Sequence, residues 1–254
     1  AHLWGKREEK YAALRDSSLD DIEWKELQPD KPFYLFAPQD IDTRKEYEVG
    51  WKITDIMPLN VTGIFTARDG LTIGWSANGV WSTVKDFISL PIEEARSKYE
   101  LGVDVRDWKV ELAQKDILDS GVEKSKIIPL HYRPFDIRFT YYTGRSRGFL
   151  CMPRGENMKH LLAGENLAMG VGRQGLAVSQ DKWDLLTCFT DIPDLNGFRR
   201  GGVQAFPLYL YTTPEETAGT LFAQSETTRK ANLAPAFIQA MEEKLGMKFV
   251  EAGS

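Results

Sequence analysis

The sequence is poor in the residues that most often betray a function. Its 254 residues include two cysteines, Cys151 and Cys188, and three histidines, His2, His131 and His160. Two thiols are too few for a disulfide framework and read as reduced cysteines of a cytoplasmic protein. The histidines lie far apart, and no Cys/His group has zinc-ligand spacing. No apolar run approaches the ~20 residues a membrane helix needs, so no membrane partner is expected. The opening Ala1-His2-Leu3-Trp4-Gly5-Lys6 lacks the apolar segment of a secretory signal. There is no phosphate-binding G-x-x-x-x-G-K-[ST] loop and no N-P-P-[YF] motif. Glu23-Trp24-Lys25 mimics half of a metal-nuclease site, but no Pro-Asp pair precedes it at a useful distance. We therefore expect no catalytic residue, no metal ligand and no bound cofactor in this chain. The absences favour a binding module over an enzyme.

What the chain does have is a concentrated island of positive charge. The net charge is -5, yet between His131 and Lys159 six basic side chains (Arg133, Arg138, Arg145, Arg147, Arg154, Lys159) face two acids, Asp136 and Glu156. Aromatic residues alternate with the arginines. A cationic, aromatic-laced island on an acidic protein is the footprint of a polyanion partner, and nucleic-acid contact is the leading reading. The plain alternative is a sheet whose exposed face happens to be rich in arginine.

The periodicities predict an α+β fold. A mixed, largely antiparallel sheet carries a helical layer (residues ~78–120) and terminal helices. We expect one domain over 1–254, with the helical layer inserted between β regions 33–75 and 125–211, cut from a longer polypeptide. Leu3–Leu14 reads as a helix and Phe33–Phe36 as a short strand. Val61–Ala67 and Leu71–Trp75 read as a hairpin turning at Arg68-Asp69-Gly70. Val80, Val84, Phe87 and Ile88 mark the first helix of the layer, followed by Ile92–Leu101 and Asp104–Leu118. These helices carry many acids and should face away from a polyanion. Ile127–Tyr132 and Phe135–Tyr142 read as strands, the second placing Arg138 and Tyr142 on one polar face. Arg154–Leu162 is helical. Leu167–Val171, Leu185–Phe189 and Phe206–Tyr211 are strand-like, and Pro235–Leu245 closes the chain as a helix. The seven tryptophans read mostly as core.

Gly170-Val171-Gly172-Arg173-Gln174-Gly175 matches the dinucleotide fingerprint, which needs a following helix. Leu176–Asp184 has no helical stripe, so a flexible loop carrying Arg173 and Gln174 is the better reading. Arginine pairs with guanine and glutamine with adenine, so this dipeptide is a candidate base reader.

Several blocks together resemble a known family. They are Leu3-Trp4-Gly5-Lys6-Arg7-Glu8-Glu9-Lys10-Tyr11, Gly50-Trp51-Lys52-Ile53-Thr54-Asp55-Ile56, Thr66-Ala67-Arg68-Asp69, Asp104-Val105-Arg106-Asp107-Trp108-Lys109, Tyr132-Arg133-Pro134-Phe135-Asp136-Ile137-Arg138, Tyr141-Tyr142-Thr143-Gly144 and Phe206-Pro207-Leu208-Tyr209-Leu210-Tyr211. The chain resembles the C-terminal target-recognition (specificity) domain of type ISP restriction-modification enzymes and fused adenine-specific DNA methyltransferases. The resemblance implies sequence-specific recognition of double-stranded DNA. It implies partners in the methyltransferase and other domains of the same polypeptide. S-adenosylmethionine, with ATP and magnesium as further candidates, is implied for the parent enzyme only.

On that footing, base contacts are expected from Arg68, Arg138, Arg173 and Gln174. Phosphate contacts are expected from Arg133, Arg145, Arg147, Arg154, Lys159, Arg199 and Arg200. Arg68 could instead be a solvated turn residue, and Arg138 could pair with Asp136. The rival functions are an intramolecular docking domain without independent DNA reading and a nucleotide-binding enzyme using the Gly170 loop.

Overall fold

The computed structural model describes residues 5–22, 24, 26–27, 29, 31, 34, 40–172, 185–198, 202–218 and 226–251. They fall into two compact units, residues 1–51 and residues 52–254. The first unit contains α1 (Arg7–Asp16) and α2 (Ile41–Glu48). The Asp40 carboxylate caps α2 by accepting from the N–H groups of Asp42 and Thr43, both at 3.1 Å. The strand expected over Phe33–Phe36 lies outside the described residues, Tyr34 excepted.

The second unit opens with the single turn α3 (Ile53–Ile56), then β1 (Val61–Thr62), the single turn α4 (Asp69–Thr72) and β2 (Ile73–Gly74). The helical layer follows: α5 (Ala77–Ser89), α6 (Ile92–Lys98) and α7 (Val110–Asp119). Then come β3 (Ile127–Arg133), β4 (Asp136–Tyr141), α8 (Gly155–Leu162), β5 (Ala168–Gly172), β6 (Leu186–Phe189) and β7 (Ile192–Pro193). The chain ends in β8 (Val203–Pro207), β9 (Tyr209–Thr212), the turn α9 (Pro214–Thr217), β10 (Thr228–Ala231) and α10 (Pro235–Leu245).

The strands form a four-stranded sheet β1-β8-β5-β6, a second sheet β2-β4-β3-β7 and the ribbon β9-β10. Among the strands of the described residues every pairing is antiparallel except β3 with β7. This is the mixed, largely antiparallel α+β architecture that the patterning implied. The helical layer packs on the second sheet. Val80, Val84 and Phe87 of α5 and Ala113 and Ile117 of α7 share one core with Leu130 of β3 and Tyr141 of β4. Spacings of three and four residues keep these side chains on one helix face.

Two expectations are corrected. The residues Arg68-Asp69-Gly70 do not close a hairpin. Val61–Thr62 pairs with β8 and Ile73–Gly74 pairs with β4, in different sheets. Asp69 instead starts a helical turn: its carboxylate accepts the Thr66 hydroxyl and, at 3.0 Å, the Tyr132 hydroxyl. These side-chain bonds, together with burial of Leu71 and Thr72, override the turn propensity of Asp-Gly. The tryptophans also divide differently. Trp108 is fully buried, whereas Trp24, Trp51 and Trp75 are exposed.

The glycines of the fingerprint sit inside sheet packing. A Cβ on Gly170 would come 2.6 Å from the Phe189 ring, and one on Gly172 would come 2.5 Å from Leu185 Cβ. The strand that carries them is antiparallel to both neighbours, unlike the parallel βαβ unit a dinucleotide loop requires.

Two buried histidines make stability depend on pH. Burial lowers the pKa of His131 and His160 below 6.5, and His160 Nδ1 accepts the Tyr211 N–H at 3.0 Å. The folded state disfavours protonation of both rings relative to the unfolded chain. Their contribution is therefore complete above about pH 6.5 and declines as pH falls below it. Thermal unfolding should occur at lower temperature at pH 5 than at pH 7.5, and His160→Gln should flatten that dependence.

Candidate nucleic-acid interface

The loop between β4 and α8, residues 142–154, carries three of the candidate arginines. It is held by one carboxylate, Asp116 of α7, which is buried. Asp116 Oδ2 accepts the Thr143 hydroxyl at 2.7 Å and the Phe149 N–H at 2.9 Å. Gly148 lies so close that a Cβ there would come 2.2 Å from the same oxygen. Trp108 Nε1 donates to the Phe149 carbonyl at 3.1 Å, and Met152 pairs with Phe65 through two 2.9 Å backbone bonds. The loop thus has a fixed base, and Arg145 and Arg147 stand on its outer turn with side chains more than half exposed.

Two acids of the region read as the helical layer are neighbours of these arginines. Arg145 lies 4.0 Å from Asp119, and Arg147 lies 3.4 Å from Asp107. Arg106 pairs with the same Asp107 at 2.8 Å and holds its carboxyl below the usual range. Asp119 sits beside Arg145 because α7 supplies the anchor for the loop, while Asp107 lies in the turn before α7. Arg154 introduces α8 in the left-handed conformation, at φ 57°. Its Nε is buried without an acceptor among the described residues. The positive charges of Arg154, Arg68 and Arg147 all act on the Cys151 thiol, which burial and Asp107 nonetheless push up. Arg68, from a distant stretch of sequence, thus reaches the same thiol as Arg147 and Arg154.

Arg68 is not a solvated turn residue. It donates to the carbonyls of Leu101 (2.9 Å), Ala67 (2.9 Å) and Val103 (3.1 Å) and stacks 4.8 Å from the Trp108 ring centroid. It ties the helical turn before β2 to the loop after α6.

Arg133 and Arg138 occupy a second place, the β3–β4 ribbon. Arg133 pairs at 2.7 Å with Asp194, whose side chain is buried. Burial pushes the Asp194 carboxyl up, while Asn196 N–H and Arg133 pull it down. Arg138 makes a two-pronged contact with Asp136, at 2.9 Å from both Nε and Nη2. Its guanidinium lies 3.4 Å from the Trp75 centroid and 4.8 Å from that of Tyr132, while Arg133 lies 3.8 Å from Tyr132 on the same ribbon. Tyr142, expected to share a polar face with Arg138, instead donates to the Pro153 carbonyl at 2.8 Å. Lys159 stands apart on α8 and pairs with Glu216. Arg173, Gln174, Arg199 and Arg200 lie outside the described residues.

Residues 55–252 match the family described as "Type ISP C-terminal specificity domain". The chain belongs to this family. Solved structures with the same fold include DrdV in a DNA complex, at 19% identity and a TM-score of 0.60, covering 98% of this chain and 24% of that one. The nuclease-deletion mutant of the Type ISP restriction-modification enzyme LlaGI, in complex with a DNA substrate mimic, gives 18% identity and a TM-score of 0.54. There the match covers 89% of this chain and 22% of the other. The ATP-dependent Type ISP enzyme LlaBIII, bound to DNA, gives 18% and 0.51 over 73% of this chain and 12% of that chain. The specificity domain thus spans a quarter or less of the length of these solved chains. No curated protein sequence matches it. No helix among its described residues is long and apolar enough to cross a membrane.

Sequence reasoning missed Phe135. Alternation assigned it to a strand, but it forms the tip of the β3–β4 turn, fully exposed and at φ 62°. The signal was available in Pro134-Phe135 itself, since Pro suits the first central position of a tight turn.

The two arginine groups should separate in a thermal melt. Removing Arg133 strands the buried Asp194 carboxylate, so Arg133→Ala should cost about 2–4 kcal/mol. Arg147→Ala touches only a solvated pair and should leave the melting temperature unchanged. Gly148→Ala forces Asp116 aside and should cost about 1–3 kcal/mol.

Proposed function

We propose that this specificity domain reads the sequence of double-stranded DNA and holds the duplex for an adenine methyltransferase elsewhere in its polypeptide. Membership of the Type ISP specificity family over residues 55–252 carries the proposal. The loop that displays Arg145 and Arg147 on a rigid base supports it, because a phosphate clamp needs charges that are exposed yet fixed in position. Their ion pairs with Asp119 and Asp107 are solvated and can be exchanged for phosphate at little cost.

The chemistry divides by how each arginine is held. Arg145, Arg147, Arg154 and Lys159 contact phosphates, and so do Arg199 and Arg200. Arg173 and Gln174, which follow β5 directly in the sequence, read bases. Arg68, Arg133 and Arg138 are bound to carbonyls or carboxylates, and they position the loop and the ribbon. S-adenosylmethionine, ATP and magnesium belong to the other domains of the parent polypeptide. Those domains, with duplex DNA, are its partners.

Binding to a cognate duplex and to a scrambled one, measured across a salt series, tests the assignment. Arg145→Ala and Arg147→Ala should each weaken both duplexes alike and reduce the salt slope by roughly one. Arg173→Ala should weaken the cognate duplex alone, by about 1–3 kcal/mol. Equal losses on both duplexes would end the base-reading role of Arg173. A chain that binds no duplex at low salt would end the proposed function.

A further inference from the structure

Phe135 stands where a bulky apolar residue gains nothing from the fold. Arg133 and Asp136 pair across the ribbon, leaving Pro134 and Phe135 as a two-residue turn. Proline holds φ near about -65°, and Phe135 has φ 62°, the signs of a type II turn, whose second central position favours glycine or asparagine. Phenylalanine is strained in that conformation, and its ring is fully exposed. The position therefore sacrifices stability without burying apolar surface. Strain of this kind persists where a site uses it.

The surroundings indicate what the ring meets. Trp75, which follows the β2 strand paired with β4, is 75% exposed. The Arg138 guanidinium lies between Trp75 and Tyr132, and Arg133 lies on Tyr132. Asp136 and Asp194 neutralise both guanidinium groups, so the ribbon tip offers flat π surfaces more than charge. Planar surfaces of this kind match nucleobases, which stack on aromatic rings and guanidinium planes. Beyond the pairings with β2 at Phe139 and β7 at His131, the β3–β4 tip is two-stranded, a shape that fits the major groove, and apolar side chains that part base steps are a recurrent device.

We propose that Phe135 is a wedge: it enters a base step of the bound duplex and unstacks it, with Trp75 and Tyr132 as the adjoining stacking surface. The proposal rests on the DNA-binding role set out above. It adds a contact that deforms the duplex, distinct from the arginines that grip it.

The experiment uses duplexes enriched from a random pool on the wild-type chain, with 2-aminopurine placed at successive positions of the enriched site. Wild-type protein should raise the fluorescence several-fold at one step. Phe135→Gly should abolish that rise while leaving the salt slope of binding unchanged. It should also melt no lower than wild type, because glycine accepts the left-handed turn. Binding by wild type with no fluorescence rise at any position would overturn the wedge and spare the DNA-binding role. An equal rise in wild type and Phe135→Gly would do the same. A melting temperature lowered by more than about 5 °C in Phe135→Gly would show a structural ring and overturn the proposal. Failure of wild type to bind any duplex would remove the DNA-binding role and the wedge with it. Unchanged DNA behaviour in Phe135→Gly, with lost association to another domain of the parent, would replace the wedge with a protein contact.

Discussion

The arrangement of the candidate interface depends on the Asp116 carboxylate. It is buried on a helix, yet it serves the loop that leaves β4, taking a hydroxyl from Thr143 and an N–H from Phe149. A buried acid is costly unless it is hydrogen-bonded, so the loop and the acid stabilise one another. Gly148 is the companion requirement, since any side chain there would occupy the space of that carboxylate. With its base fixed, the outer turn can present Arg145 and Arg147 without burying either.

This constraint also accounts for the pattern of charge. Positive residues that lie together in sequence separate in space into groups held in different ways. Arg133 and Arg138 lock into carboxylates on the ribbon, and aromatic rings cover their planes. Arg68 is taken up by three carbonyls. Arg145 and Arg147 keep more than half of their side chains exposed beside the acids they meet. Buried or stacked guanidinium groups lose freedom and gain structural roles, while solvated ones remain available to a mobile anion. An arginine count therefore overstates the charge that can be offered to DNA.

Much of the architecture was legible in the residues. Val80, Val84 and Phe87 at helical spacing identified α5, and alternation from Ile127 onward identified the ribbon. The blocks around Gly50–Ile56, Tyr132–Arg138 and Phe206–Tyr211 pointed to the family to which the chain belongs. What failed were inferences from short motifs. Asp69-Gly70 reads as a hairpin turn until the hydroxyls of Thr66 and Tyr132 claim the Asp69 carboxylate. Gly170 and Gly172 match a phosphate cradle in letters only, and Phe189 and Leu185 fill the space beside them. The Tyr132 hydroxyl comes from 63 residues away, which no local pattern contains.

The sequence by itself determined the elements with strong periodicity, the α+β class, the basic island and the family, because each is written in residues a few positions apart. Tertiary structure alone decided which charges are spent within the fold and which face outward. It placed Asp107 and Asp119 of the acidic layer against Arg147 and Arg145, and it left the Phe135 ring bare at the ribbon tip. Pairing and burial depend on distances between segments far apart along the chain, and those distances exist only once the helices have packed on the sheet.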